Sequence, residues 1–308
     1  MAAILLRAGA GAGGGSHPRS TGRRRRNAVI IAAVTGTGPA VPQEGTLERP
    51  AWSGETPLSR LVGALIAFKP LYSLMKLASR GVIIRTAEKS NVPWREMTKK
   101  VLESDVYEVF ERIRDPNLVY PDCELIYFST FSLSFNYLSP FHAYDEGNLS
   151  WLAAAEAEAA TMSIAKRAVP EATSIQEANQ IVRGNWLNAI EEHHLKYSGN
   201  RQIKDILDIG CSVGCHECPA RAITGLVKEA FRVLRPGGTI ALTDNSPKSK
   251  ALQELSPVLF TLMKSTEPFL DEYYMLDLEE TMRQVGFVNV CSILTDARHR
   301  TVTATVPY

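Results

Sequence analysis

The stretch Asp205-Ile-Leu-Asp-Ile-Gly-Cys-Ser-Val-Gly214 decides how this chain is read. Ile206, Leu207 and Ile209 form a short apolar run of the kind a buried parallel strand uses. Asp208 sits near its carboxyl end, and Gly210 and Gly214 follow. A strand that breaks into a glycine-bearing turn lets the backbone of an open α/β sheet approach a nucleotide-like ligand.

Working outward, the 308 residues are enough for one or two domains with a real core. A hydrophobic fraction of 45% with 22% charged residues describes an ordinary soluble globular protein. Lys+Arg 34 against Asp+Glu 33 leaves +1, so no global basic field exists for nucleic acid. The cysteines Cys123, Cys211, Cys215, Cys218 and Cys291 are odd in number and lack a secreted-scaffold pattern; they read as mostly reduced. The one candidate membrane run, residues 61–68, is followed by Lys69-Pro70. It is too short to span a bilayer, which needs roughly 20 apolar residues.

Residues 1–43 contain no Asp or Glu and carry Arg7, Arg19 and the run Arg23-Arg-Arg-Arg26. An acid-free start bearing Arg and Ser is the composition of an organelle transit peptide. Ile30-Ile-Ala-Ala33 resembles a plastid processing site, so the expected localisation is the chloroplast. A mitochondrial address, a disordered tail or a nuclear signal at the arginines are the alternatives. Residues 36–57 read as a Gly/Pro-rich linker, so residues 1–57 form a disordered transit-and-linker region.

Residues 58–200 read as a mostly helical region. Leu61, Leu65, Phe68, Tyr72, Met75 and Ala78 recur near helical spacing, and Pro70 kinks or splits that helix. It is either a helix packed on the domain or a peripheral membrane contact. Residues 94–113 form a second helical stretch. Residues 122–138 alternate Phe131, Leu133, Phe135 and Tyr137 with small polar residues, which fits a local strand or foreign sequence from an imperfect gene model. Residues 148–169 are an Ala/Glu-rich helix, and Ser174-Ile-Gln-Glu177 is a capping box opening another. That helix ends near His194, and its adjacent His193 and His194 read as exposed or dipole-complementing rather than catalytic.

Residues 220–234 are an amphipathic helix with Ile223, Leu226, Val227, Ala230, Phe231 and Leu234 on one face. Arg235-Pro-Gly-Gly238 turns into the strand Thr239-Ile-Ala-Leu-Thr243. A helix follows over residues 251–264, and Asp277-Leu-Glu-Glu280 caps another that stops at Gly286. Phe287-Val-Asn-Val290 is a strand, and Thr301-Val-Thr-Ala-Thr-Val306 alternates as an edge strand does.

Two of these blocks, Leu207-Asp-Ile-Gly-Cys-Ser-Val-Gly214 and Phe231-Arg-Val-Leu-Arg-Pro-Gly-Gly238, resemble class I S-adenosylmethionine (SAM)-dependent methyltransferases. The terminal helix, Gly286-Phe287 and the two strands after it resemble that family's antiparallel tail hairpin. The resemblance covers residues 204–308. It implies an α/β fold with a Rossmann-like sheet over residues 201–308. It also implies SAM as cofactor and a small-molecule methyl acceptor, with no nucleic acid and no transmembrane segment. Asp208, Gly210, Cys211 and Gly214 are the residues it implies for the methionine end of SAM. Asp244 and Asn245, at the carboxyl end of the fifth strand, are candidate acceptor-side residues; loop and capping chemistry is the alternative reading for them.

The same resemblance exposes a gap. Three further strand–helix units belong between the glycine motif and the Pro-Gly-Gly turn, on the order of 90 residues. Residues 214–236 hold one helix. The central strands are expected to be missing, with the junction at Gly214-Cys215 and His216-Glu-Cys-Pro219 belonging after the absent fourth strand. A splice variant or a mis-assembled gene model would produce this. The expected function is SAM-dependent methyl transfer, possible in full only for an intact parent. The alternative is a non-catalytic methyltransferase-derived plastid protein. Cys211, Cys215, His216 and Cys218 imitate a zinc cluster, but four ligands within eight residues cannot easily make a tetrahedron, so no metal is expected.

Overall fold

The computed structural model describes residues 2–8, 42–113, 144, 150–198, 203–208, 214–267 and 269–308. Within them the chain is mixed α/β and mostly helical. Strand β1 (Ala2–Ala8) is followed by helices α1 (Pro57–Ala67), α2 (Lys69–Lys89), α3 (Trp94–Leu102), α4 (Asp105–Ile113), α5 (Trp151–Ala168) and α6 (Ile175–Tyr197). Next come β2 (Ile203–Asp208), a 3-10 turn (Cys215–Glu217), α7 (Ala220–Val233) and β3 (Thr239–Asn245). The chain closes with α8 (Lys250–Gln253), α9 (Pro257–Thr266), α10 (Leu270–Met275), α11 (Leu278–Val285), β4 (Val288–Leu294) and β5 (His299–Thr305).

β3, β5 and β4 form an antiparallel unit, and β1 and β2 extend it on the other side of β3 in the order β2-β1-β3-β5-β4. Every ladder is antiparallel. β2 and β3 therefore share a direction, with the reversed β1 between them. Leu5 faces Leu207 on one side and Ile240 on the other. The expectation that residues 205–209 form a buried parallel strand is corrected: β2 is an edge strand, with Ile206 65% and Leu207 49% exposed. Parallel strands need crossover helices over both faces. The chain between the 3-10 turn and β3 supplies one, α7, whose Ile223 and Val227 pack with Ile240, Leu242 and Val302 instead.

β5 is not the edge strand its alternation suggested. It lies between β3 and β4 and is buried throughout. Its threonines are tolerated inside because their hydroxyls find partners: Thr301 Oγ1 meets Thr243 Oγ1 at 2.9 Å, and Thr303 and Thr305 meet the ring nitrogens of His193 at 2.9 and 3.0 Å. His194 Nδ1 similarly lies 2.9 Å from Thr239 Oγ1 and 2.7 Å from Ser198 Oγ. The two histidines are buried pins between α6 and the sheet, which corrects the expectation that they are exposed. Burial, then the neighbouring His194 and Lys196 charges, lower the His193 pKa to about 4, so it is neutral at pH 7.

The linker reading also fails where residues 42–57 are described. Glu44 bridges to Ser249, and Gly45 N donates to the Lys248 carbonyl at 2.8 Å. Trp52 stacks on Phe260 at 5.6 Å and donates from Nε1 to the Leu252 carbonyl at 3.1 Å. Burying an indole outweighs the flexibility of the surrounding Gly and Pro residues.

Local signals elsewhere hold. Pro70 splits the first helical stretch, with α1 and α2 meeting at 95°. Ser174 and Asp277 accept from the backbone N–H three residues on, and Gly286 closes α11 at φ +117°. Pro257, capped by Ser256, divides the helix expected over 251–264 into α8 and α9. Residues 122–138 lie outside the described residues.

Candidate functional site at the carboxyl end of β3

β3 begins after the left-handed Gly237 and delivers Asp244 to its carboxyl end, 2% exposed. Asp244 accepts three hydrogen bonds: His216 N at 3.0 Å, His216 Nδ1 at 2.7 Å and Asn245 N at 2.5 Å. A carboxylate in this setting is held by its donors and by the opposite charge together. Asn245, beside it, fixes the neighbouring wall through its carbonyl, which accepts from Tyr273 Oη at 2.5 Å.

His216 reaches Asp244 because the 3-10 turn folds directly after Gly214, its N-cap. The flanking Cys215 and Cys218 are buried in the main core cluster, and the imidazole sits edge-on to Tyr273 at 6.2 Å. Beyond the ring, Nε2 faces Glu267 Oε2 at 3.7 Å and Glu217 Oε1 at 4.0 Å. Both separations exceed hydrogen-bond length. Glu267 Oε2 is buried with no hydrogen-bond partner among the described residues.

The cluster's protonation follows from its charges. Burial alone would lower the His216 pKa; Asp244, then Glu267 and the Asp244 hydrogen bond, raise it to about 10. The ring is an imidazolium at neutral pH. Burial would raise the Asp244 pKa, but the His216 charge and its hydrogen bonds hold it below the usual carboxylate range. Both partners thus point to an ion pair. Burial raises Glu267, assisted by Asp244 and opposed by His216 and Arg167. Burial likewise pushes Glu217 up to about 7. The thiols of Cys215 and Cys218 are pushed up by burial, Cys218 to about 12, so neither is a nucleophile at neutral pH.

The neighbouring strand adds a second pair. Asp296 Oδ1 accepts from the backbone N–H groups of Arg298 and His299, and both its oxygens lie 2.9 Å from His299 Nδ1. His299 pairs in register with Asn245, which brings both His–Asp units to the same end of the sheet. Between this end and the helices lies a cavity of about 280 Å³. Val82 and Ile83 of α2 and Leu259, Leu262 and Met263 of α9 form its apolar side; His216, Glu267, Asn245, Arg167 and Arg298 form its polar side. Burial lowers the Arg167 pKa to about 10, with Arg298 adding to the fall and Glu267 opposing it.

The residues singled out from sequence divide between two places. Asp244 and Asn245 belong to this site. Gly214 caps the turn that carries His216. Asp208 ends β2 and is exposed; through Ile4 of β1 it stands level with Ala241, three residues short of Asp244. With β1 between them, the two strands are about 10 Å apart. Gly210 and Cys211 lie outside the described residues. His216, Glu267 and Arg167 were not singled out as site residues. In the sequence His216 stood out only within the apparent zinc cluster and the His216-Glu-Cys-Pro219 block. No three His, Cys, Asp or Glu side chains among the described residues form a metal-binding group.

No family model, curated protein or solved structure matches this chain. Among the described residues no single helix is long and apolar enough to cross a membrane; α1 and α2 pass only as a bent pair. Leu61, Phe68, Leu74 and Leu77 on that pair are each more than half exposed.

Proposed function

We propose that this chain is a methyltransferase derivative whose parent activity moves a methyl group from SAM to a small molecule. The observation that carries the reading is the shared direction of β2 and β3. It brings the carboxyl ends of the glycine-motif strand and the Pro-Gly-Gly strand to one side of the sheet. That side, beyond the carboxyl ends of like-directed strands, is where α/β sheets bind ligands. The tail hairpin β4–β5 packing back onto β3 supports the same family reading. In this assignment Asp208, Gly210, Cys211 and Gly214 hold the methionine end of SAM, and Asp244 and Asn245 line the acceptor side. SAM brings an activated sulfonium methyl group, so positioning an acceptor in line supplies most of the rate.

The fit to SAM is partial. β1 occupies the space next to β2, and among the described residues no helix covers the exposed Ile206 and Leu207 to form an adenosine pocket. This favours a second reading, in which the 308-residue form is non-catalytic. Isothermal titration with SAM separates the two. Micromolar binding by this chain supports the active reading. Absence of binding, with binding restored by a form carrying further strands between Gly214 and Cys215, supports the inactive one. Absence from both forms refutes the family assignment.

Chloroplast delivery belongs to the same proposal and is tested by import of the radiolabelled chain into isolated plastids. In this reading processing at Ile30-Ile-Ala-Ala33 removes β1, so the SAM titration is run on the processed product as well as on the full chain. A peripheral membrane contact through residues 61–77 predicts co-sedimentation with plastid-lipid vesicles that Leu65→Glu abolishes.

A further inference from the structure

The cavity beside His216 carries an unmet hydrogen-bonding demand that narrows the choice of ligand. His216 is 3% exposed and cationic, yet only Nδ1 is hydrogen-bonded; Nε2 makes no hydrogen bond among the described residues. Glu267 Oε2 is buried and equally unmet. These two atoms face each other at 3.7 Å. The separation is too long for a direct bond and leaves room for one oxygen at about 2.8 Å from each. With Glu267 ionised beside the imidazolium, that oxygen must accept from Nε2–H and donate to Oε2. A hydroxyl does both; an ether, a ketone or a hydrocarbon does not. Leaving the buried Glu267 Oε2 unmet is costly, so an occupant that satisfies it together with His216 Nε2 gains affinity and selectivity.

The rest of the cavity sets the body of that occupant. Val82, Ile83, Leu259, Leu262 and Met263 line its other side, supplied by α2 and α9. A volume of about 280 Å³ lies just below the usual range of ligand sites and limits the occupant to a small molecule. We propose that this cavity binds a small apolar alcohol or phenol, its hydroxyl bridging His216 Nε2 and Glu267 Oε2 and its hydrocarbon body between α2 and α9. The inference deepens the methyl-acceptor reading above by naming the acceptor's class, and rests on that reading only for the fate of the bound hydroxyl. It also assigns the helical N-terminal region a task, since α2 forms the wall that selects the body.

The test uses the full chain at pH 7 without SAM, so that its outcome is independent of SAM binding. 4-Butylphenol and its methyl ether, 4-butylanisole, are titrated calorimetrically. The phenol is expected to bind at least tenfold more tightly than the ether. Glu267→Met is expected to erase that preference while keeping the ether's affinity. Ile83→Glu, on the apolar wall, is expected to weaken both ligands. Equal affinities for phenol and ether in the unmodified chain would overturn the proposal and assign the gap to a water molecule. Binding of neither would overturn it as well. Phenol binding with no SAM binding in any form keeps the ligand site and refutes the methyltransferase reading. SAM binding without phenol binding does the reverse.

Discussion

Replacing Asp244 by asparagine preserves shape and removes one charge at a buried point of the sheet. The carboxylate accepts from His216 N, His216 Nδ1 and Asn245 N at 3.0, 2.7 and 2.5 Å. An asparagine has one acceptor oxygen, so its NH₂ must face an N–H donor. The imidazolium also loses its partner, and Glu267 at 3.7 Å is too far to replace it. Breaking a buried pair from one side costs about 3–5 kcal/mol. Urea unfolding followed by circular dichroism at pH 6 should show a loss of that size.

The pH dependence makes the prediction sharper. The folded His216 pKa, about 10, lies above its ordinary value of 6.5. Its contribution is fully present below about 6.5 and is lost as pH rises toward 10, by at most about 1.4 kcal/mol per unit. The Asp244 pKa is depressed below 3.8, so its contribution is present above that value and is lost as pH falls through the folded pKa. The gap between wild type and Asp244→Asn is therefore widest from about pH 4 to 6.5 and narrows toward pH 10. A cost under about 1 kcal/mol at pH 6 would refute the ion-pair argument, and so would a gap constant from pH 6 to pH 10.

Three further outcomes follow from the packing. Trp52→Ala should cost about 3–5 kcal/mol in chemical denaturation, because the indole stacks on Phe260 and meets Tyr274 edge-on; a cost near zero would restore the linker reading. Deleting residues 2–8 should abolish amide protection in Ile203–Asp208 while β3, β5 and β4 keep theirs, as hydrogen exchange would record; unchanged protection in β2 would remove β1 from the sheet. Gly286→Ala should lower the melting temperature by an amount equivalent to about 1–3 kcal/mol, since φ is +117° and the added methyl lies 3.1 Å from Phe231 Cζ; an unchanged melting temperature contradicts it.

The sequence by itself determined what is decided within a few residues. Ser174, Asp277 and Gly286 announce helix ends because a cap is satisfied by a backbone group three or four positions away. The Pro70 break, the amphipathic α7 and the turn at Gly237 are local in the same sense. Asp244 and Asn245 were legible as strand-end residues because a strand's carboxyl end is fixed by the strand itself.

Only the tertiary structure decided the neighbours. β5 alternates like an edge strand, yet it became interior because His193 and Thr243 satisfy its hydroxyls. His193 and His194 looked solvent-facing until the sheet closed over them. Residues 205–209 read as a buried parallel strand, yet β2 ended at the sheet edge, because the pairing of a strand depends on what else the chain can lay beside it. His216 and Asp244 are separated by 28 positions, and Glu267 lies farther along still. No periodicity or capping rule links such residues, since charge pairing and cavity shape depend on distances in space that sequence spacing does not encode. The stretch from Asp205 to Gly214 suggested a buried parallel strand; its pairing with β1 made the ladder antiparallel and left β2 exposed.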